Sequence, residues 1–295
     1  GIDYFVSRAD ISGDITVTGD LKHLHLYGGV LSGEVTVDAP GNEGGNVSSL
    51  NVVHGRIADN GSALDPLIDV EGSINRMLII GDGETESVLA DDMEVGGDMG
   101  RLLVIKGSVD NDHIYVDGRT GHIRVIGGAL NSHVESQNGL ESVVVVGGDV
   151  SGGPIWTGGE FGRIYVSGGD LNTDITSRGA DIGRVMVFRG RSAAGDWAGG
   201  NIHGDVNAGV NIDLLYARGG DVNGAINAVV GTLGRMIVAT AMDSGDGTVI
   251  GGQINGSVSA GQVGRIQSFG GITADGDITA KGDIDYLHVA GGGIA

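Results

Sequence analysis

Residues 161–171, which read Phe-Gly-Arg-Ile-Tyr-Val-Ser-Gly-Gly-Asp-Leu, contain the pattern that decides the fold. Apolar and polar side chains alternate through residues 164–167, and the segment then turns at Gly-Gly. The same pattern occurs in residues 120–130 (Thr-Gly-His-Ile-Arg-Val-Ile-Gly-Gly-Ala-Leu) and 140–150 (Leu-Glu-Ser-Val-Val-Val-Val-Gly-Gly-Asp-Val). Such alternation predicts a β-strand with one buried face. The glycines permit a sharp turn where the strand ends.

This strand is one part of an internal repeat. Its first apolar position occurs at Leu24, Leu50, Met77, Leu102, Ile123, Val143, Ile164, Val185, Leu214, Met236, Ile266 and Leu287. A second alternating strand lies between most copies, as in residues 31–37 (Leu-Ser-Gly-Glu-Val-Thr-Val). Units this short bury their apolar face only by stacking on one another. The sequence therefore predicts an all-β parallel β-helix, or β-solenoid, with about twelve coils of roughly 20–30 residues. We expect a single domain over residues 1–295.

The composition excludes several other classes. Glycine accounts for 59 of 295 residues. Because each glycine inside a helix costs about 1 kcal/mol of stability relative to alanine, this content argues against a large helical domain. The chain has no cysteine, which excludes a disulfide scaffold. Nucleic acids bind to basic surfaces, and this chain has a net charge of −21. We therefore expect no nucleic-acid partner. No apolar run approaches the length of a membrane span, and none is expected.

Over nearly its whole length the chain resembles the glycine-rich parallel β-helix repeats of large secreted or surface-exposed bacterial proteins. The resemblance implies a right-handed solenoid with an extracellular or cell-surface location. Proteins of this architecture include adhesins, filament and envelope proteins, and also polysaccharide lyases and hydrolases. The fold alone therefore does not select a function.

One cluster of titratable residues is a candidate catalytic site, should the protein be an enzyme. It comprises Asp110, Asp112, His113 and His133, and we expect adjacent coils to place the two histidines together. Carboxylate pairs arise by chance on an acidic solenoid, and the nucleophile-elbow, zinc-protease and P-loop motifs are absent. The simpler interpretation of this cluster is a variable surface patch. We therefore predict that the protein is not an enzyme.

Acidic insertions between the strands are candidates for calcium, because carboxylate oxygens at close spacing suit a hard cation. The candidate ligands are Asp82, Glu84, Asp91, Asp92, Asp243 and Asp246. None of these loops matches an EF-hand, so a solvated acidic loop is the alternative. No motif requires another cofactor.

Three aromatic residues, Trp156, Tyr165 and Trp197, are candidates for carbohydrate binding, because exposed rings can stack on sugars. They could equally pack beneath a loop or at a subunit contact. Rows of charge also follow the repeat, with arginines before the first strand and aspartates at the turns. These rows are either solvated faces that pair with rows of opposite charge or a surface for a charged polymer or Ca²⁺.

The chain starts and stops within the repeat, since residues 2–6 (Ile-Asp-Tyr-Phe-Val) match residues 284–289 (Ile-Asp-Tyr-Leu-His-Val) in phase. We expect either a segment of a longer array or end-to-end stacking on copies of itself or on neighbouring segments. The predicted function is a non-catalytic extracellular structural protein, such as a filament, stalk or surface-layer segment. The alternative is a polysaccharide-binding adhesin or a polysaccharide lyase or hydrolase acting along one face.

Overall fold

The computed structural model describes residues 1–39, 44–58, 66–83, 87–242 and 248–294. These residues form 30 β-strands, and nearly all of the pairings are parallel. The described part contains no helix that could serve as a membrane span. The predicted all-β parallel β-solenoid is confirmed.

The chain divides into two compact units, Gly1–Val144 and Val145–Ala295. The strands of the first unit are β1 (Ile2–Ser7), β2 (Ile15–Thr18), β3 (Leu21–Leu31), β4 (Val35–Asp38), β5 (Val47–Ile57), β6 (Ile68–Val70), β7 (Ile74–Ile80), β8 (Ser87–Leu89), β9 (Met93–Val95), β10 (Met99–Ile105), β11 (Ser108–Val116), β12 (Thr120–Ile126), β13 (Leu130–Ser136) and β14 (Leu140–Val146). The division between the two units falls within β14.

The strands of the second unit are β15 (Val150–Thr157), β16 (Phe161–Ser167), β17 (Ile175–Ser177), β18 (Ile182–Phe188), β19 (Gly190–Arg191), β20 (Trp197–Ala198), β21 (Val206–Ala208), β22 (Ile212–Arg218), β23 (Ile226–Ala239), β24 (Ala241–Met242), β25 (Val249–Ile250), β26 (Gln253–Ile254), β27 (Val258–Ser268), β28 (Gly271–Ile272), β29 (Ile278–Ala280) and β30 (Ile284–Val289). Only β19–β20 and β24–β25 are antiparallel among the described pairs, and both are short hairpins.

Each coil contributes to parallel columns of strands, which keep equivalent residues in register. In the first unit one column runs β1–β3–β5–β7–β10–β12, and a second runs β2–β4–β6–β9–β11–β13. In the second unit, β16, β18, β22, β23, β27 and β30 form the equivalent of the first column. This register places the same position of every repeat on the same surface.

The core follows the predicted phase with one correction. Met77, Leu102 and Ile123 are opposite one another in β7, β10 and β12, and all three are fully buried. In β22, however, the residue opposite Val185 is Leu215, whereas Leu214 is half-buried on the outer face. The prediction for Leu214 was therefore wrong by one residue, because two adjacent leucines satisfy the alternation in either phase.

Most of the turn aspartates hydrogen-bond to the backbone of the following coil. In the first unit the Asp14 carboxylate accepts a bond from the Glu34 N–H at 3.1 Å. In the second unit Asp174 accepts from the Asp205 N–H at 2.8 Å, and Asp205 accepts in turn from the Ala225 N–H at 2.7 Å. Carboxylates thus satisfy backbone donors at the corners, a use of the acidic row that neither sequence interpretation included.

Stacked corners also explain part of the glycine content, and Gly33→Ala tests this. A Cβ at Gly33 would lie against the Gly13 carbonyl, far inside van der Waals contact. We expect this variant to lose about 1–3 kcal/mol of unfolding free energy through overpacking. Gly13→Ala is the matched control, because Gly13 holds the same repeat position with open space around its Cβ. Equal urea midpoints for the two variants would contradict close stacking at this corner.

Candidate functional site

The most distinctive polar cluster lies on the outer face of β11 and β13 in the first unit. His113 is directly opposite His133 in the parallel ladder, and the two imidazole rings stack with centroids 4.6 Å apart. Glu135 follows His133 by two residues and therefore projects from the same face. Its Oε2 atom is 3.6 Å from His113 Nε2. The repeat thus brings both predicted histidines together and adds Glu135, which was not predicted.

The side chains of this cluster are half-buried, and one of them is held by a neighbouring amide. Burial, followed by the neighbouring His113, lowers the pKa of His133, while Glu135 opposes this shift. The other carboxylate oxygen of Glu135 accepts a 2.7 Å hydrogen bond from the Gln137 amide, which fixes the carboxylate. The Nε2 atom of His113 is buried and has no hydrogen-bond partner among the described residues.

An irregularity in β11 determines which side chain faces His133. Asp110 is opposite Asn131 and His113 is opposite His133, so β11 has one extra residue between these pairs. The extra length forms a β-bulge that the buried Asn111 amide holds by donating to the Asp91 and His113 carbonyls at 3.0 and 3.1 Å. If the ladder continued regularly from the Asp110–Asn131 pair, Asp112 rather than His113 would be opposite His133.

Neither predicted aspartate belongs to the group of ligand atoms formed by His113, His133 and Glu135. Asp112 is exposed on the bulge. Asp110 is also exposed, and its carboxylate accepts a 2.6 Å hydrogen bond from the Asn131 amide. The catalytic assignment of these four residues stays a prediction.

The predicted calcium ligands are distributed over several environments. Asp92 accepts a 2.7 Å hydrogen bond from the His113 N–H, and Asp91 accepts one of 2.7 Å from the Asp92 N–H. Asp82 is exposed. Glu84, Asp243 and Asp246 lie outside the described residues. Calcium binding by these loops stays a prediction.

The three predicted sugar-binding aromatics have different neighbours. Trp156 is half-buried, and the Arg178 guanidinium lies 4.4 Å from its ring centroid. Trp197 belongs to the β19–β20 hairpin, is 47% exposed and lies beside Arg191. Tyr165 contacts Phe188, and Phe188 contacts Tyr216, with ring centroids 5.2 Å apart in both pairs. Phe188 and Tyr216 were not predicted as part of this group, although the repeat places both side chains on the outer face.

This ladder of three rings shares its face with exposed arginines in the second unit. Arg163 is opposite Arg184, and Arg235 is opposite Arg265. Arg218 is opposite Phe188 at the ladder itself. None of these five guanidinium groups forms an ion pair with another described residue. The chain therefore carries a basic and aromatic face despite its net charge of −21.

The strands β1 and β30 expose positions that are core elsewhere. Ile284 and Leu287 of β30 are both 41% exposed, whereas the residues opposite them, Val263 and Ile266, are fully buried. In β1, Ile2 and Phe5 are half-buried, whereas the residues opposite them, Leu21 and Leu24, are fully buried. Within the described residues β1 pairs only with β3, and β30 pairs only with β27.

Comparison of the chain with protein-family models, curated proteins and solved structures finds no match. Three surfaces of the described residues are candidates for function: the histidine cluster, the arginine and aromatic face, and the edges at β1 and β30.

Proposed function

We propose that this protein is a non-catalytic structural component of the cell surface or extracellular space, in which copies stack end to end through β30 and β1. The exposure of Ile284 and Leu287 is the observation that carries this proposal. A coil added beyond β30 would bury both residues as β30 buries Val263 and Ile266. It would also pair the open backbone groups of the strand edge.

The strand β1 of a second copy has the sequence that this edge requires. Ile2 and Phe5 are opposite Leu21 and Leu24 in β3, so they point toward the core. Continuing the same register places Ile284 against Ile2, Tyr286 against Tyr4 and Leu287 against Phe5. Tyr286 would thereby extend the stack that Tyr4 forms with His23, whose ring centroids are 4.6 Å apart.

Such a contact joins two different surfaces of one molecule, so it leaves a free edge at each end of every assembly and produces filaments rather than closed dimers. The proposed register brings Asp285 beside Asp3, which already lies 2.7 Å from Lys22. Copies with a charge of −21 also repel one another. Assembly should therefore strengthen as salt screens this repulsion.

Sedimentation velocity at rising protein concentration tests this proposal. We expect a series of growing species, shifted to larger sizes as NaCl increases from low to physiological concentration. A single monomeric boundary at every concentration and salt level would contradict the proposal.

A second candidate function, binding of an acidic polysaccharide, is supported by the arginine and aromatic face of the second unit. Guanidinium groups form paired hydrogen bonds to carboxylates, and aromatic rings offer apolar area to sugar rings. The acidic remainder of the chain repels polyanions, so such binding would depend on this face.

Binding to polygalacturonate, with neutral dextran as the comparison, tests this second function. We expect Arg163→Gln combined with Arg184→Gln to weaken polygalacturonate binding about tenfold or more, since each charge-assisted hydrogen bond contributes roughly 1.5–3 kcal/mol. Arg119→Gln is the control, because Arg119 is exposed in the other unit. Equal binding of dextran, or unchanged binding by the double variant, would contradict it.

A further inference from the structure

We propose that His113, His133 and Glu135 form a binding site for a divalent transition-metal ion, with zinc as the preferred ion. One potential ligand atom from each residue lies within 4.8 Å of the other two. All three side chains are half-buried, so the site is partly shielded from solvent.

The geometry of the cluster fits tetrahedral coordination. Bonds of about 2.0–2.1 Å at tetrahedral angles separate two ligand atoms by about 3.4 Å. His113 Nε2 and Glu135 Oε2 are 3.6 Å apart, so only a small inward shift is needed. The face-to-face arrangement of the imidazoles lets both rings pivot toward one point above the strands. Two imidazoles and a carboxylate leave a fourth position for water.

The donor set selects the class of ion. Imidazole nitrogen favours zinc, copper, nickel and cobalt. Calcium instead requires six to eight oxygen ligands, and magnesium requires nearly octahedral oxygen coordination. This site therefore differs in its donor chemistry from the acidic loops for which calcium was predicted.

The surrounding structure supports the ligands. The Gln137 amide holds the Glu135 carboxylate at 2.7 Å. The Asn111 bulge places His113 opposite His133, and Asp92 binds the His113 N–H at 2.7 Å. Because its ligands come from β11 and β13, the ion would link two successive coils.

Isothermal titration of the metal-free full chain with ZnCl₂ at neutral pH tests the site. We expect one equivalent to bind with micromolar or tighter affinity, and His133→Ala and Glu135→Gln each to weaken binding by at least about tenfold. Glu135→Gln keeps the shape of an outward-facing side chain, so it preserves the fold. CaCl₂ should produce no competing binding at the same concentration.

His122→Ala is the matched control, because His122 lies 3.7 Å from Glu141 but belongs to no group of three metal-ligating side chains among the described residues. This variant should bind zinc as the unmodified protein does. Cobalt should replace zinc and give the visible absorption of a four-coordinate ion, which should disappear in His133→Ala. The proposal is wrong if zinc does not bind, or if His133→Ala and Glu135→Gln retain the affinity of the His122→Ala control.

Discussion

Replacing Leu102 with alanine is expected to lower the free energy of unfolding by about 2–5 kcal/mol. Leu102 is fully buried in β10, between Met77 and Ile123 of the neighbouring coils. Truncation removes apolar contacts and leaves a cavity that the rigid ladders on either side cannot collapse to fill. Urea unfolding followed by circular dichroism measures the loss.

The neighbouring Leu103→Ala variant is the matched control. Leu103 has the same side chain but lies half-buried on the outer face of β10, because side chains alternate along a strand. We expect this variant to lose roughly 1 kcal/mol or less. If the two variants lost equal stability, the assignment of inward and outward faces in this column would be wrong.

Placing lysines at Ile284 and Leu287 is expected to weaken end-to-end assembly by at least about 100-fold. In the proposed contact both ammonium groups would enter a core without partners. An uncompensated buried charge costs roughly 3–5 kcal/mol, and each 1.4 kcal/mol changes an association constant about tenfold. Sedimentation velocity of the double variant should show monomer at concentrations where the unmodified chain assembles.

The control for this experiment places lysines at Val230 and Val249. These residues are 69% and 63% exposed and belong to β23 and β25, so the variant gains the same charge at apolar positions outside β30. It should assemble as readily as the unmodified protein. Equal loss of assembly in both double variants would show that added charge, rather than burial of β30, controls association.

The repeat pattern predicts the columns of the solenoid because one residue per coil fixes the phase of each strand. The predicted phase was wrong where the sequence is degenerate, at Leu214 and Leu215, and the repeat does not indicate the bulge at Asn111. The sequence placed His113 near His133 correctly because both follow the repeat. It did not identify Glu135 as the third member, although alternation from His133 puts both residues on one face.

The use of the turn aspartates could not be predicted from spacing alone. A charged row in sequence is compatible with solvation, ion pairing or ligand binding. The structure shows carboxylates such as Asp174 bonded to the backbone of the following coil. That arrangement depends on the three-dimensional path of the corner, which the residue types do not specify.

Cysteine cross-linking between copies tests end-to-end stacking most directly. The chain has no cysteine, so Tyr4→Cys and Tyr286→Cys each introduce a single thiol. Neighbouring parallel strands lie about 4.8 Å apart, within the range for a disulfide. Mixing the two variants under oxidising conditions is predicted to give a disulfide-linked pair. A mixture of Tyr286→Cys with Tyr27→Cys, whose tyrosine is 46% exposed but lies in β3, one strand inside the edge, should not. Equal yields from both mixtures would contradict stacking of β30 on β1.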